Sequence, residues 1–239
     1  MIVHNRRVPL LIIALLLFVS CRASPSKPQK ASADEPISNV SVDVVVSELA
    51  HTNDSGVDTE KAYEFTLRGE RFELDRTGRF TCGNARGSFQ LDVEETPYVD
   101  ELQFLPYGQD VLILLYELSD GESGLSRISR VYLPSCELTF STDLPSFNIG
   151  QAALEGSTLY VSSLGFVGRF DVEAWGYDWT HGNLYDRYKL NAFGKPVVFR
   201  DRVVFPESTS SSGSVPRNVV IQKSSGAIAI SQQPQAAGS

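Results

Sequence analysis

The sequence predicts an all-β domain, built as an antiparallel meander of short strands. Between about residues 39 and 230, runs rich in Val, Ile, Tyr, Phe and Leu recur roughly every eight to twelve residues, and Gly, Pro, Asn, Asp and Ser separate them. No apolar pattern of helical period persists for three turns in this region. A meander of hairpins without crossover helices folds as a sandwich, a barrel or a propeller.

The predicted strands alternate with turn-forming residues along the whole domain. The strands are 41–49, 63–67, 88–93, 111–116, 130–133, 158–162, 166–172, 197–199, 202–205 and 218–222. The tight turns are 68–70, 76–78, 155–157, 200–201 and 224–226. This punctuation is typical of antiparallel hairpins.

A weak internal repeat selects among the three architectures. From Ala152 the chain reads AALEGSTLYVSSLGFVGRFDVEAWGYDW, with an apolar strand before each Gly and a Trp at the end. This segment resembles one blade of the pyrroloquinoline-quinone-type, or more broadly WD40-like, β-propellers. In that family a strand ends in Leu-Asp, and a Thr-Gly turn and a Trp follow. Here Phe170 and Asp171 replace the Leu-Asp pair, and the turn lacks Thr.

Fainter echoes of this blade occur at 72–80, 128–140 and 219–230, so that corresponding turns fall near residues 78, 135, 176 and 226. The intervals match the length of a blade. The resemblance therefore implies about four blades, that is, a small or partial β-propeller. A β-sandwich is the alternative.

Residues 1–20 are predicted to be a signal peptide. Arg6 and Arg7 precede an apolar stretch of about twelve residues, which is too short to cross a bilayer. The end of this segment, Phe18 to Cys21, resembles the bacterial lipobox. That resemblance implies that diacylglycerol is attached to Cys21, that the peptide is cut before it, and that the acyl chains anchor the protein in a membrane. The alternative is an ordinary secretory signal cut near Ala23.

Four regions follow from these features. After the signal peptide come a flexible Pro-, Ser- and Ala-rich tether over 21–38, the all-β domain over 39–230, and a disordered tail over 231–239. The expected location is the cell envelope, where the lipoprotein would sit on the outer membrane, at the periplasmic face or on the cell surface. Membrane lipid at Cys21 and an envelope protein are the expected partners.

Charge and cysteine content narrow the function further. The net charge is −8 and no window forms a basic stripe, so nucleic acid is not expected as a partner.

Once Cys21 is lipidated, Cys82 and Cys136 remain, and in an oxidising compartment an even pair predicts a disulfide. Such a bridge would stabilise the fold by about 3 to 4 kcal/mol. Two buried core thiols are the alternative.

No catalytic, metal or cofactor site is predicted. His51 and His181 are the histidines left after the signal peptide, and the GxSxG and CxxC motifs are absent. His181 lies near Asp178 and Asp186 in a turn-rich segment, which is interpreted as an exposed turn, with a metal site as the alternative. The acidic segment 120–124 lacks the alternating ligands of a calcium loop and is interpreted as a solvated turn.

The most distinctive segment carries large rings within fourteen residues: Trp175, Tyr177, Trp179, Tyr185 and Tyr188. Rings at alternate positions of a strand would pack between adjacent sheets. The functional alternative is a platform for a ligand or a partner protein, because Trp and Tyr are enriched at binding hot spots. The sequence thus predicts a membrane-anchored, non-catalytic protein-binding or scaffolding lipoprotein. A glycan-binding or small-ligand-binding module, or a carbohydrate-active enzyme, is the second hypothesis.

Overall fold

The computed structural model describes residues 36–37, 45–52, 58–75, 78–83, 87–91, 98–119, 124–208 and 216–232. Cys21, the predicted signal peptide, most of the tether and residues 233–239 lie outside these residues, as do 120–123 of the acidic turn. The lipid anchor therefore stays a prediction. In the described ranges, no helix has the length and apolar character that a membrane crossing requires.

The described strands form four antiparallel sheets, and each sheet uses strands that are consecutive in the chain. Sheet 1 contains β1 (Val45–Thr52), β2 (Asp58–Leu67), β3 (Glu70–Leu74), β4 (Arg79–Cys82) and β5 (Gly87–Gln90). Sheet 2 contains β6 (Tyr98–Tyr107), β7 (Val111–Ser119), β8 (Gly124–Tyr132) and β9 (Glu137–Asp143). Sheet 3 contains β10 (Ala153–Glu155), β11 (Thr158–Ser163), β12 (Phe166–Asp171) and β13 (Gly176–His181). Sheet 4 follows helix α1 (Leu184–Tyr188) and contains β14 (Val197–Val198), β15 (Arg202–Pro206), β16 (Arg217–Gln222) and β17 (Ile228–Gln232).

The sheets stack face to face in chain order, with an apolar core between each neighbouring pair. Strand β7 shows why. Its side chains alternate between the two faces of sheet 2, so that Leu112 and Leu114 pack toward sheet 1 while Ile113 and Leu115 pack toward sheet 3. A two-sheet sandwich has one such core, whereas this chain has three among its described residues. The architecture is therefore an antiparallel meander of propeller-type blades, as predicted.

Covalent and polar links join sheets 1 and 2 at one end of the stack. Cys82, at the end of β4, is bonded to Cys136, in the turn between β8 and β9, with a Cα–Cα distance of 6.0 Å. Arg68, in the turn between β2 and β3, donates hydrogen bonds to the carbonyls of Gly108 and Gln109 in the turn between β6 and β7. Equivalent hairpin turns of the two sheets therefore lie at the same end.

The other sheet pairs are linked at their edges in a similar way. Between sheets 2 and 3, the side-chain amide of Gln103 donates to the carbonyl of Gly150, in the connection that leads into sheet 3, at 2.9 Å. Between sheets 3 and 4, Lys223 Nζ lies 2.6 Å from the carboxylate of Glu155. These links fix how each sheet is placed on the next.

The ten predicted strands correspond to ten of the seventeen described strands. Strands β3, β4, β9, β10, β13 and β17 overlap the blade-like segments of the sequence, whereas β6 and the short helix α1 lie in no predicted element. Strand β17 runs to Gln232, so the predicted tail begins two residues too early. Ile37, which the prediction places in the tether, donates its backbone N–H to the carbonyl of Val198 at 2.8 Å, so the end of the tether contacts the first strand of sheet 4.

Candidate functional site

The structure distributes the five aromatic residues over three environments. Trp175 and Tyr177 pack against the core between sheets 2 and 3. Trp179 and Tyr188 pack against the core between sheets 3 and 4. Tyr185, in helix α1, is 50% exposed. The five rings therefore do not share one surface.

A β-bulge explains why two of these rings face opposite cores. Across strands β12 and β13, Arg169 pairs with Trp179 and Phe170 pairs with Tyr177, so that Asp178 is an extra residue in β13. Without an extra residue, positions 177 and 179 would lie on the same face of the sheet. The bulge shifts the alternation by one, and Trp179 turns away from Tyr177.

A pair of stacked aromatic rings lies at the outer rim, between sheets 2 and 3. Phe140, on β9, is 47% exposed and stacks on Trp175, with a ring-centroid distance of 5.3 Å and an interplanar angle of 27°. The guanidinium of Arg130 lies 5.7 Å from the centre of the Phe140 ring. Tyr132 follows two residues after Arg130 and is 39% exposed. We call these four residues the rim patch.

Further contacts hold Trp175 and the neighbourhood of Phe140 in place. The Trp175 ring meets Phe170 edge to face at 5.1 Å and an interplanar angle of 88°. Arg130 pairs with Phe140 across β8 and β9, and its Nη1 donates to the carbonyl of Val172 at 3.3 Å. The indole N–H of Trp175 is buried, and no acceptor for it exists among the described residues. A rigid aromatic surface results.

The turn that presents Trp175 is organised by Asp171. Its carboxylate accepts hydrogen bonds from the backbone N–H groups of Glu173 and Ala174, each at 2.8 Å. These bonds, that of Ala174 above all, lower the pKa of Asp171 because they favour its charged form. Trp175 itself adopts a left-handed backbone conformation, with φ of 55°. Tyr107 donates its hydroxyl proton to the carboxylate of Glu173, and this hydrogen bond raises the pKa of Tyr107.

A small pocket at the opposite end of sheet 3 contains the exposed Tyr185. Its volume is about 240 Å³. The lining includes Tyr185, Asn183, Asp186, Ser146, Leu164 and Phe166. We call it the loop-end pocket. Close to it in the chain, the side-chain oxygens of Ser163 and Asn191 are buried without a hydrogen-bond partner in the described structure.

His181, Asp178 and Asp186, the residues of the alternative metal site, make other contacts in the structure. His181 Nε2 lies 2.8 Å from the carbonyl of Gly226, and Asp178 pairs with Arg169 at 3.2 Å. Asp186 lines the loop-end pocket. Within the described ranges, no three His, Cys, Asp or Glu residues are grouped so that they could hold a metal ion.

Sheet order, inter-sheet cores and rim patch together define an all-β, propeller-type domain. No protein-family model and no curated protein sequence matches the chain. Among solved structures, the chain is similar to a europium-containing methanol dehydrogenase at 13% identity and a TM-score of 0.40, over 58% of this chain and 28% of that one. It is also similar to BamB from Moraxella catarrhalis at 11% identity and a TM-score of 0.31, over 81% of this chain and 74% of that one. The chain thus spans less than a third of the dehydrogenase. Because both TM-scores are low, the fold assignment rests on the sheets described above.

Proposed function

We propose that this protein is a membrane-anchored, non-catalytic lipoprotein of the cell envelope that binds another envelope protein through the rim patch. The exposed Phe140 carries the proposal. The residue is 47% exposed, yet its ring is stacked on Trp175 and lies beside Arg130. Aromatic residues and Arg are the types enriched at the centres of protein interfaces, where rigid side chains lose little entropy on binding.

The rim patch is tested by site-specific photo-cross-linking in cells. A photoreactive amino acid at position 132 should give one discrete adduct with an envelope protein, and Phe140→Ala should abolish that adduct. The same amino acid at position 197, on the exposed Val197 of β14, is the control site. The matched substitution control is Leu125→Ala, which removes an exposed apolar side chain of β8 that lies outside the patch. Equal adducts from positions 132 and 197, or an adduct that survives Phe140→Ala, would overturn the proposal.

The anchor is tested separately from the patch. Metabolic labelling with an alkyne analogue of palmitate should mark the protein, and Cys21→Ser should remove both the label and the membrane association. An unlabelled wild-type protein that is released in soluble form would show that the segment before Ala23 is an ordinary secretory signal. Binding at the rim patch does not depend on that outcome.

The loop-end pocket favours a second function, the binding of a small glycan. Tyr185 offers an exposed ring, and Asn183 and Asp186 offer amide and carboxylate groups, which suit the faces and hydroxyls of a sugar. The volume suits a single ring, since pockets for drug-sized ligands measure about 300 to 1,000 Å³. Ligand-observed NMR with N-acetylglucosamine should show saturation transfer that Tyr185→Ala removes. An unchanged spectrum on addition of protein would exclude this function.

A further inference from the structure

Among the described residues, no strand pairs with the outer edge of β9, which borders the rim patch. Strand β9 is the last strand of sheet 2 and is hydrogen-bonded on one side, to β8. Each of the four described sheets ends with one strand that is last in the chain, and these strands are β5, β9, β13 and β17. Among them β9 is the longest, with seven residues. Five of its seven residues are exposed. A long exposed edge of this kind leaves alternate N–H and C=O groups unpaired.

The composition of β9 does not protect this edge. Natural edge strands are usually blocked by Lys or Pro, by a β-bulge, by short length or by a covering loop. Strand β9 has a bulge at Thr139, and the part that pairs regularly with β8 after it runs from Phe140 to Asp143. Strand β9 reads ELTFSTD, with no Lys and no Pro, and its two acidic residues stand at its ends. An edge with these properties is a template on which an extended segment can pair through main-chain hydrogen bonds.

The side chains around β9 specify the segment that would pair with it. A residue directly opposite Phe140 would contact the stacked rings of the rim patch, so an apolar side chain fits there. Glu137, at the start of β9, and Glu173, next to Trp175, are exposed and form no ion pair in the described structure. Asp143, at the end of β9, is 52% exposed and pairs with Arg127. Asp143 is therefore already neutralised, whereas Glu137 and Glu173 place carboxylates beside the apolar centre that Lys or Arg would complement.

We propose that the partner segment binds as an added strand along β9, and that it carries an apolar residue at its centre with Lys or Arg near it. This inference rests on the proposed function of the rim patch and specifies its mode of binding. Main-chain pairing supplies the orientation. The rings supply the apolar contact, and the carboxylates select the charge of the partner.

The probe is a phage-displayed library of random linear dodecapeptides, selected against the folded domain. Enriched peptides should combine an apolar centre with Lys or Arg near it. A synthetic copy of the best binder should slow hydrogen exchange at alternate amides of β9. Its affinity should fall about tenfold or more in Phe140→Ala and remain unchanged in Leu125→Ala.

Two proline variants test the main-chain pairing itself. Leu144 donates its N–H to the carbonyl of Ser126 at the end of the β8–β9 pairing, so by alternation the N–H of Thr142 also points to β8 and that of Ser141 points to the free edge. Thr142→Pro should lower the melting temperature, and Ser141→Pro is compared with Ser141→Ala because the Ser141 hydroxyl bonds to that of Ser129 at 3.0 Å. The edge-facing variant, Ser141→Pro, should keep the melting temperature of Ser141→Ala and bind the peptide about tenfold more weakly than Ser141→Ala, because the main-chain bonds of the added strand are lost.

The outcomes separate the two proposals. If the selected peptides depend on Phe140 but bind the edge-facing proline variant unchanged, strand addition is refuted and the rim patch stands as a binding surface. Acidic peptides, or exchange protection outside β9, also refute strand addition. If no selected peptide depends on Phe140, both proposals fail.

Discussion

Removal of the disulfide should lower the stability of the domain by a predictable amount. Cys82 and Cys136 are separated by 54 residues, and both are almost fully buried. In the chain-entropy model, a bridge that closes a loop of this size destabilises the unfolded state by about 4 kcal/mol. The double variant Cys82→Ala, Cys136→Ala should therefore lose about 4 kcal/mol in free energy of unfolding. For a domain of this size, the melting temperature should fall by roughly 8 to 16 °C.

Guanidinium titration followed by circular dichroism measures this loss. Wild-type protein unfolded with and without a reductant is the matched comparison, because reduction opens the same loop without a substitution. Both comparisons should give the same shift in midpoint. A loss below about 1 kcal/mol in the double variant would refute the loop-closure argument. It would mean that the cores between the sheets, and not the bridge, hold sheets 1 and 2 together.

Two further predictions concern buried hydroxyls and pH. Burial raises the pKa of Tyr177 to about 12, and its hydroxyl has no partner in the described structure, so Tyr177→Phe should leave stability unchanged or raise it. The matched variant Tyr116→Phe should cost about 1 kcal/mol in a denaturant titration, because that hydroxyl bonds to Ser129 at 3.0 Å. The lowered pKa of Asp171 stabilises the fold above the ordinary carboxyl pKa of 3.8, and this stabilisation is lost as pH falls through the folded-state value. The stability difference between wild type and Asp171→Asn should therefore shrink below about pH 4, and a difference that is constant with pH would contradict the assignment.

Most of the strands could be predicted because their signals are local. Alternating apolar residues and turn-forming residues sit next to each other in the chain, and all ten predicted strands overlap strands of the structure. Strand β6 was not predicted because its alternation of apolar and polar residues is interrupted. A bulge between Val99 and Glu101 shifts the alternation, and Pro106, near the end of the strand, is a residue that usually disfavours strands. The disulfide could be predicted because the prediction needs only an even number of thiols and an oxidising compartment.

The rim patch could not be predicted, because it depends on contacts between two sheets. Phe140 has no special sequence context: it is one aromatic residue in a strand whose other residues, apart from Leu138, are polar. It becomes a candidate binding residue because β9 lies at the outer edge of sheet 2 and because the turn after β12 places Trp175 against it. Neither relation is encoded within a single strand.

The aromatic segment shows how little a cluster in sequence says about a cluster in space. Tyr177 and Trp179 occupy positions that a regular strand would put on one face, and a platform could then form. The extra residue Asp178 reverses the alternation, so that one ring supports the core behind the rim patch and the other packs toward sheet 4. Trp175 precedes the strand, and the left-handed conformation of its own backbone, together with the Asp171 turn, decides where its ring goes. The ring that reaches the rim is thus selected by a turn and a bulge, and the second half of the surface comes from a strand that is remote in sequence.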